Sequence, residues 1–148
     1  MIEGILSYVV WSPDPAVFSG FERLRWYSLF FALGFIISQQ IMVYIFKKEG
    51  QNEELVDKLT IYMVLATIIG ARLGHVLFYE PEKYLSNPIE IFKVWEGGLA
   101  SHGAAIAILI ALWLYSKWTP GQSYLWVVDR IVIVTAMTGA LIRVGNLM

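Results

Sequence analysis

The sequence predicts an all-α, polytopic membrane bundle of about four spanning helices, with one short interfacial amphipathic helix. Three observations predict it. First, 57% of the residues are hydrophobic and 16% are charged, against about a quarter charged in soluble domains, and the mean hydropathy is +0.60. Second, apolar runs near the ~20 residues that a bilayer requires recur along the chain. Third, 6 Trp, 8 Tyr and 8 Phe supply aromatic belts for the two membrane faces. The 148 residues suffice for one membrane domain. A net charge of −1 lacks the basic excess that a nucleic-acid surface needs. There is no cysteine, so no disulfide, thiolate nucleophile or Cys-ligated metal is expected. The 2 histidines stand at unrelated positions and make a poor ligand set. No metal or cofactor is expected, and any thiol must arrive with a substrate.

Taken in order, residues 1–24 form a mixed surface segment. Pro13 and Pro15 disfavour helix in the residues before them, and Glu3, Pro13, Asp14 and Pro15 break the pattern of a cleavable signal. Tyr8, Trp11, Phe18 and Phe21 are placed at headgroup level. Arg25-Trp26-Tyr27 opens the first span, which runs to about Phe46 and ends at Lys47-Lys48. Its Ser38-Gln39-Gln40 suits interhelical hydrogen bonding. Gly50 to Lys58 reads as a polar loop, with Asn52-Glu53-Glu54 placing acids at a helix start. The second span runs from about Leu59 to Phe78. Gly70 and Gly74 share a face there and admit a closely packed helix. Tyr79-Glu80-Pro81 ends it. The stretch Tyr84 to Trp95 is too charged to span. Asn87-Pro88 marks a helix start, and Ile89, Phe92 and Trp95 recur at helical spacing, as in a helix lying on the membrane. Gly97-Gly98 breaks it. The third span, about Leu99 to Trp118, begins with small residues around His102. Thr119-Pro120-Gly121 turns the chain into a fourth span, from about Tyr124 to Arg143. Asp129 and Arg130 are adjacent there and point in different directions.

Three polar knots interrupt this apolar background: Arg72-Leu73-Gly74-His75, Gly97-Gly98-Leu99-Ala100-Ser101-His102-Gly103 and Arg143-Val144-Gly145-Asn146. A cation at membrane depth is a functional hypothesis; the plainer alternative is an arginine snorkelling to the interface. Alternation of four crossings places the knots and Tyr27 near one membrane face. Arginine holds phosphate with a fork of donors, histidine removes a proton near neutral pH, and asparagine adds an amide. The set suits an anionic lipid headgroup. Flanking charge leaves orientation tied, with Lys47, Lys48, Lys58 and Lys117 on one side and Arg23, Arg25, Lys83 and Lys93 on the other.

At these residues the chain resembles the bacterial prolipoprotein diacylglyceryl transferase family. The matching stretches are Arg25-Trp26-Tyr27, Gly70 to Tyr79, Trp95 to Gly103 and Arg143 to Asn146, in the family's order and approximate spacing. The resemblance implies transfer of the diacylglyceryl group of phosphatidylglycerol to the lipobox cysteine thiol of a prolipoprotein signal peptide. A thioether forms and glycerol phosphate leaves. It implies a bacterial inner-membrane location with the site facing the periplasm. It also implies that Arg143 binds the lipid phosphate, that His102 is the candidate base, and that Tyr27 and Asn146 position the headgroup or thiol. Arg72 corresponds to a second phosphate contact or a structural partner. Gly97, Gly98 and Gly103 shape the loop around His102, and Gly145 lets the Arg143 knot be approached closely. Ile142 and Leu147 depart from the Gly and Phe common in the family signature. The family's further Asn, Glu and additional spans lie beyond Met148, so the chain corresponds to the N-terminal half and is expected to be nearly inactive alone. The rival readings are a non-catalytic anionic-lipid scaffold and, more remotely, half of a repeat-built transporter.

Overall fold

The computed structural model describes residues 12–18 and 25–148. The expectations for Tyr8, Trp11, Phe21 and Arg23 lie outside the described residues. Among the described residues five α-helices follow in order: α1 (Trp26–Lys48), α2 (Glu54–Phe78), α3 (Pro81–Ser86), α4 (Ser101–Trp118) and α5 (Tyr124–Leu147). Two 3₁₀ turns, Pro88–Phe92 and Val94–Glu96, lie between α3 and α4. The chain is a membrane protein. α1, α2 and α5, with 23, 25 and 24 residues, are long and apolar enough to cross a bilayer. α4 is not among them. Its 18 residues extend about 27 Å at 1.5 Å per residue, just under the ~30 Å hydrocarbon thickness, and Ser101, His102 and Lys117 lower its hydropathy.

Two elements differ from expectation in detail. α2 begins at Glu54, at the helix start read from Asn52-Glu53-Glu54, and so runs ahead of the span expected from about Leu59. The Asn52 side chain accepts the Glu54 N–H at 3.0 Å, and Glu54 and Asp57 occupy the first turn, where acids suit the macrodipole. The expected short amphipathic helix begins after Asn87 as predicted but is a pair of 3₁₀ turns, separated at Lys93. Ile89, Phe92 and Trp95 are spaced by three, so a 3₁₀ geometry also lines them on one face. All three are largely exposed.

Contacts gather in two compact units, Met1–Ser38 with Val134–Met148, and Gln39–Ile133. In the larger unit, α2 and α4 meet through small residues. A Cβ added to Gly74 would stand 2.8 Å from Gly103 Cα, and one added to Gly103 would strike the Gly70 carbonyl oxygen. Gly70 is pressed likewise against Ala107. Close backbone approach of this kind supplies the packing that apolar surface alone cannot supply in lipid. Gly103→Ala is therefore expected to force the helices apart and destabilise the fold by about 1–3 kcal/mol, read as a lower unfolding midpoint in a detergent–denaturant titration. An unchanged midpoint would refute this packing.

Farther along the same unit, Leu59, Leu112, Val56 and Tyr115 are fully buried, and the Tyr115 hydroxyl donates to the Leu55 carbonyl at 3.3 Å. Polar groups secure that end. Arg130 Nη2 reaches Glu49 at 2.8 Å, its guanidinium lies 4.5 Å from the Trp126 ring centroid, and Trp126 Nε1 donates to Glu49 at 2.9 Å. Gln39 donates to Asp57 at 2.8 Å. In the smaller unit, Ser38 and Thr138 hydroxyls are 2.8 Å apart, at a point where Gly34 brings α1 against the Thr138 methyl.

Candidate active site

The predicted site residues fall into two groups, one in each unit. In the larger unit, His102 lies in the first turn of α4, reached through Gly97 and Gly98. Both glycines have positive φ, +88° and +74°, a region L side chains rarely adopt. A Cβ on Gly98 would also stand 2.7 Å from the His75 ring and 2.9 Å from Arg72 Nη1. The Ala100 N–H donates to the Ala71 carbonyl at 2.9 Å, which stitches the entry of α4 to α2. The His102 ring is exposed. It meets the Phe78 ring edge-on at 5.1 Å and lies 5.9 Å from Tyr79. Among the described residues no hydrogen bond engages its ring nitrogens, so an incoming thiol meets no competing protein donor there.

Arg72 is 4% exposed. Nε donates to the Ile91 carbonyl at 2.9 Å, Nη2 to that of Glu90 at 2.6 Å, and Nη1 to those of Gly97 at 2.6 Å and Gly98 at 3.2 Å. These bonds engage the guanidinium with carbonyls of its own chain.

His75, to which the sequence assigns no role, carries its own network. Its Nε2 lies 3.3 Å from Glu80 Oε2, and its ring stacks on Tyr79 at 5.5 Å. The His75 hydrogen bond, with help from Lys83, holds the Glu80 carboxyl below its ordinary range. Glu80 in turn holds the Lys83 ammonium above its own. The signal for His75 is its place in the Arg72 knot, but nothing local to it separates a packing histidine from a working one.

In the smaller unit, Gly145 is buried against Tyr27 Cα, Phe30 Cβ and the Trp26 carbonyl, with an added Cβ 3.0, 3.2 and 3.4 Å from them. Tyr27, Asn146, Gly145 and Arg25 line an open cavity of about 370 Å³, with Pro15 and Met148. Its wall is fixed by backbone pairing, since Trp26 N–H donates to the Pro15 carbonyl at 3.1 Å. The sequence places Arg25 at a helix start and in the first matching stretch without assigning it a role, yet it lines the same cavity as Asn146. Arg143 stands one helical turn before Asn146 and is exposed. Among the described residues no cluster of three His, Asp or Glu side chains is placed to hold a metal.

The family model for prolipoprotein diacylglyceryl transferase matches residues 15–148, which takes in every one of these groups. The chain belongs to that family. Similar proteins named phosphatidylglycerol–prolipoprotein diacylglyceryl transferase include that of Tolumonas auensis, at 48% identity over 93% of this chain and 54% of that protein. Those of Chloroherpeton thalassium and Porphyromonas gingivalis are 48% and 49% identical, each over 95% of this chain, covering 53% and 50% of the relative. The chain thus spans about half the length of the curated diacylglyceryl transferases it matches.

Proposed function

We propose that this chain supplies the N-terminal part of a phosphatidylglycerol–prolipoprotein diacylglyceryl transferase of the bacterial inner membrane, with its reacting groups toward the periplasm. The observation that carries the reading is a family match running through both groups of site residues, from residue 15 to residue 148. In the reaction, the lipobox cysteine sulfur attacks the diacylglycerol carbon that bears the phosphate. The S–C bond forms, the C–O bond breaks, and glycerol phosphate leaves with the oxygen and the electron pair.

Each residue offers one part of that chemistry. His102 takes the thiol proton, because the thiolate is the nucleophile. Its solvent- or lipid-facing ring suits a substrate entering from the membrane. Arg143 binds the phosphate and stabilises charge growing on its oxygens as the bond breaks. Tyr27 and Asn146 orient the headgroup from the cavity they line, and Arg25 adds a second cation there. Arg72 is assigned to the loop rather than to the phosphate, because carbonyls already hold its fork.

The test mixes phosphatidylglycerol and a lipobox peptide with the chain in nanodiscs, with and without the remaining half of a relative supplied. The expected result is a peptide mass gain of one diacylglyceryl group in the complemented mixture. Phosphatidylglycerol binding with no mass gain in either mixture, from folded protein, would instead favour a lipid-binding scaffold.

A further inference from the structure

A buried arginine in an apolar helix is costly unless every donor is used. Among the described residues Arg72 meets that cost with main-chain carbonyls rather than a carboxylate. Its guanidinium also lies 5.0 Å from the Tyr84 ring centroid, so a cation–π contact adds to the carbonyl bonds. The four acceptors belong to one segment. Glu90 and Ile91 stand near the end of the first 3₁₀ turn, and Gly97 and Gly98 follow the second. The Glu90 carbonyl also accepts the Lys93 N–H at 3.2 Å. The other three carbonyls stand where helical turns end and leave acceptors over, and unpaired carbonyls are penalised where water is scarce. One planar fork answers several of them at once. A lysine cannot, because its ammonium is a compact point charge.

The geometry has a direction. Arg72 ties both ends of the 90–98 segment to α2, and the next backbone bond, Ala100 to Ala71, fixes the chain just before His102. Gly98 permits the approach because no side chain separates it from Arg72 and His75. We infer that Arg72 is a positioning residue, which cinches the 90–98 segment through its carbonyls and so sets the entry of α4 and the placement of His102. Its kinetic consequence rests on the transferase reading; its structural consequence does not.

The experiment uses Arg72→Lys and the milder Tyr84→Leu, each in the nanodisc-embedded chain and in the complemented transfer mixture. Hydrogen exchange is read across residues 88–102, with the interiors of α2 and α4 as internal controls. The expected result for Arg72→Lys is exchange at least about tenfold faster in that segment, unchanged controls, and a fall in kcat of at least about tenfold with KM for phosphatidylglycerol within about twofold. Tyr84→Leu is expected to show the same pattern more weakly, and it decides the matter if Arg72→Lys does not fold. Unchanged exchange in the segment, or a raised KM with kcat retained, would overturn the inference and return Arg72 to the phosphate. If no mixture transfers even with the unsubstituted chain, the transferase reading fails while the exchange result still judges the clamp.

Discussion

Arg143→Ala is expected to lower kcat for diacylglyceryl transfer by about 10²–10³-fold in the complemented mixture, the loss typical of removing one preorganised donor to a developing anion. The placement of Arg143 is the reason. On the last turns of α5, Gly145 faces α1, pressed against the backbone of Tyr27. Arg143 is two residues away, nearly opposite around the helix, whereas Asn146 three residues on shares its side. The buried glycine therefore anchors α5 while both polar side chains stay clear of that contact, and both are exposed. A guanidinium so placed stays available to a phosphate and gains most as the leaving oxygen takes up charge. Arg143→Lys keeps the charge and loses the fork, so it is expected to retain part of the rate. Peptide mass spectrometry over a substrate titration separates kcat from KM. An alanine variant within about twofold of the parent rate would remove Arg143 from the chemistry.

The parts of this fold that depend on transfer of apolar surface are legible in the sequence, and those that depend on distant partners are not. The runs at Trp26, Leu59 and Tyr124 reveal spans because each is apolar all round and long enough for the bilayer. The start of α2 is legible in the acids of Asn52-Glu53-Glu54, but the polar residues up to Lys58 read as a loop, so the span is placed later than the helix, whose first turn is held by the Asn52 side chain. Gly70 and Gly74 show by spacing alone that something packs closely; that it is Gly103 is a tertiary matter. Ile89, Phe92 and Trp95 look α-helical because a period of three fits both helix types over so short a run. A carbonyl within that run is bonded by Arg72, 18 residues earlier in the chain, a partner that local spacing does not show. Arg72 itself is open to two roles in sequence, since an arginine near a helix end serves a ligand or its own chain equally well. Only its burial and its four carbonyl bonds separate them.

His102→Gln is expected to reduce transfer by about 10²–10⁴-fold at about pH 7, the range for loss of a general base, and to recover as pH rises. The reason lies in the thiol. A free cysteine has a pKa of about 8.5, so at neutral pH few substrate molecules carry the thiolate unless a base removes the proton in place. As pH climbs through about 8.5, the thiolate fraction rises without assistance, and the gap between the His102→Gln variant and the parent chain should narrow. A structural role for His102 would leave the gap constant with pH. Its surroundings support the distinction, because the ring rests against Phe78 and Tyr79 at α4's first turn, where an amide of similar reach leaves the backbone bond from Ala100 to Ala71 intact. Added imidazole, small enough to enter beside those rings, is expected to restore part of the rate at neutral pH. Neither rescue by alkali nor rescue by imidazole, in a variant whose exchange pattern matches the parent, would assign the proton to another group.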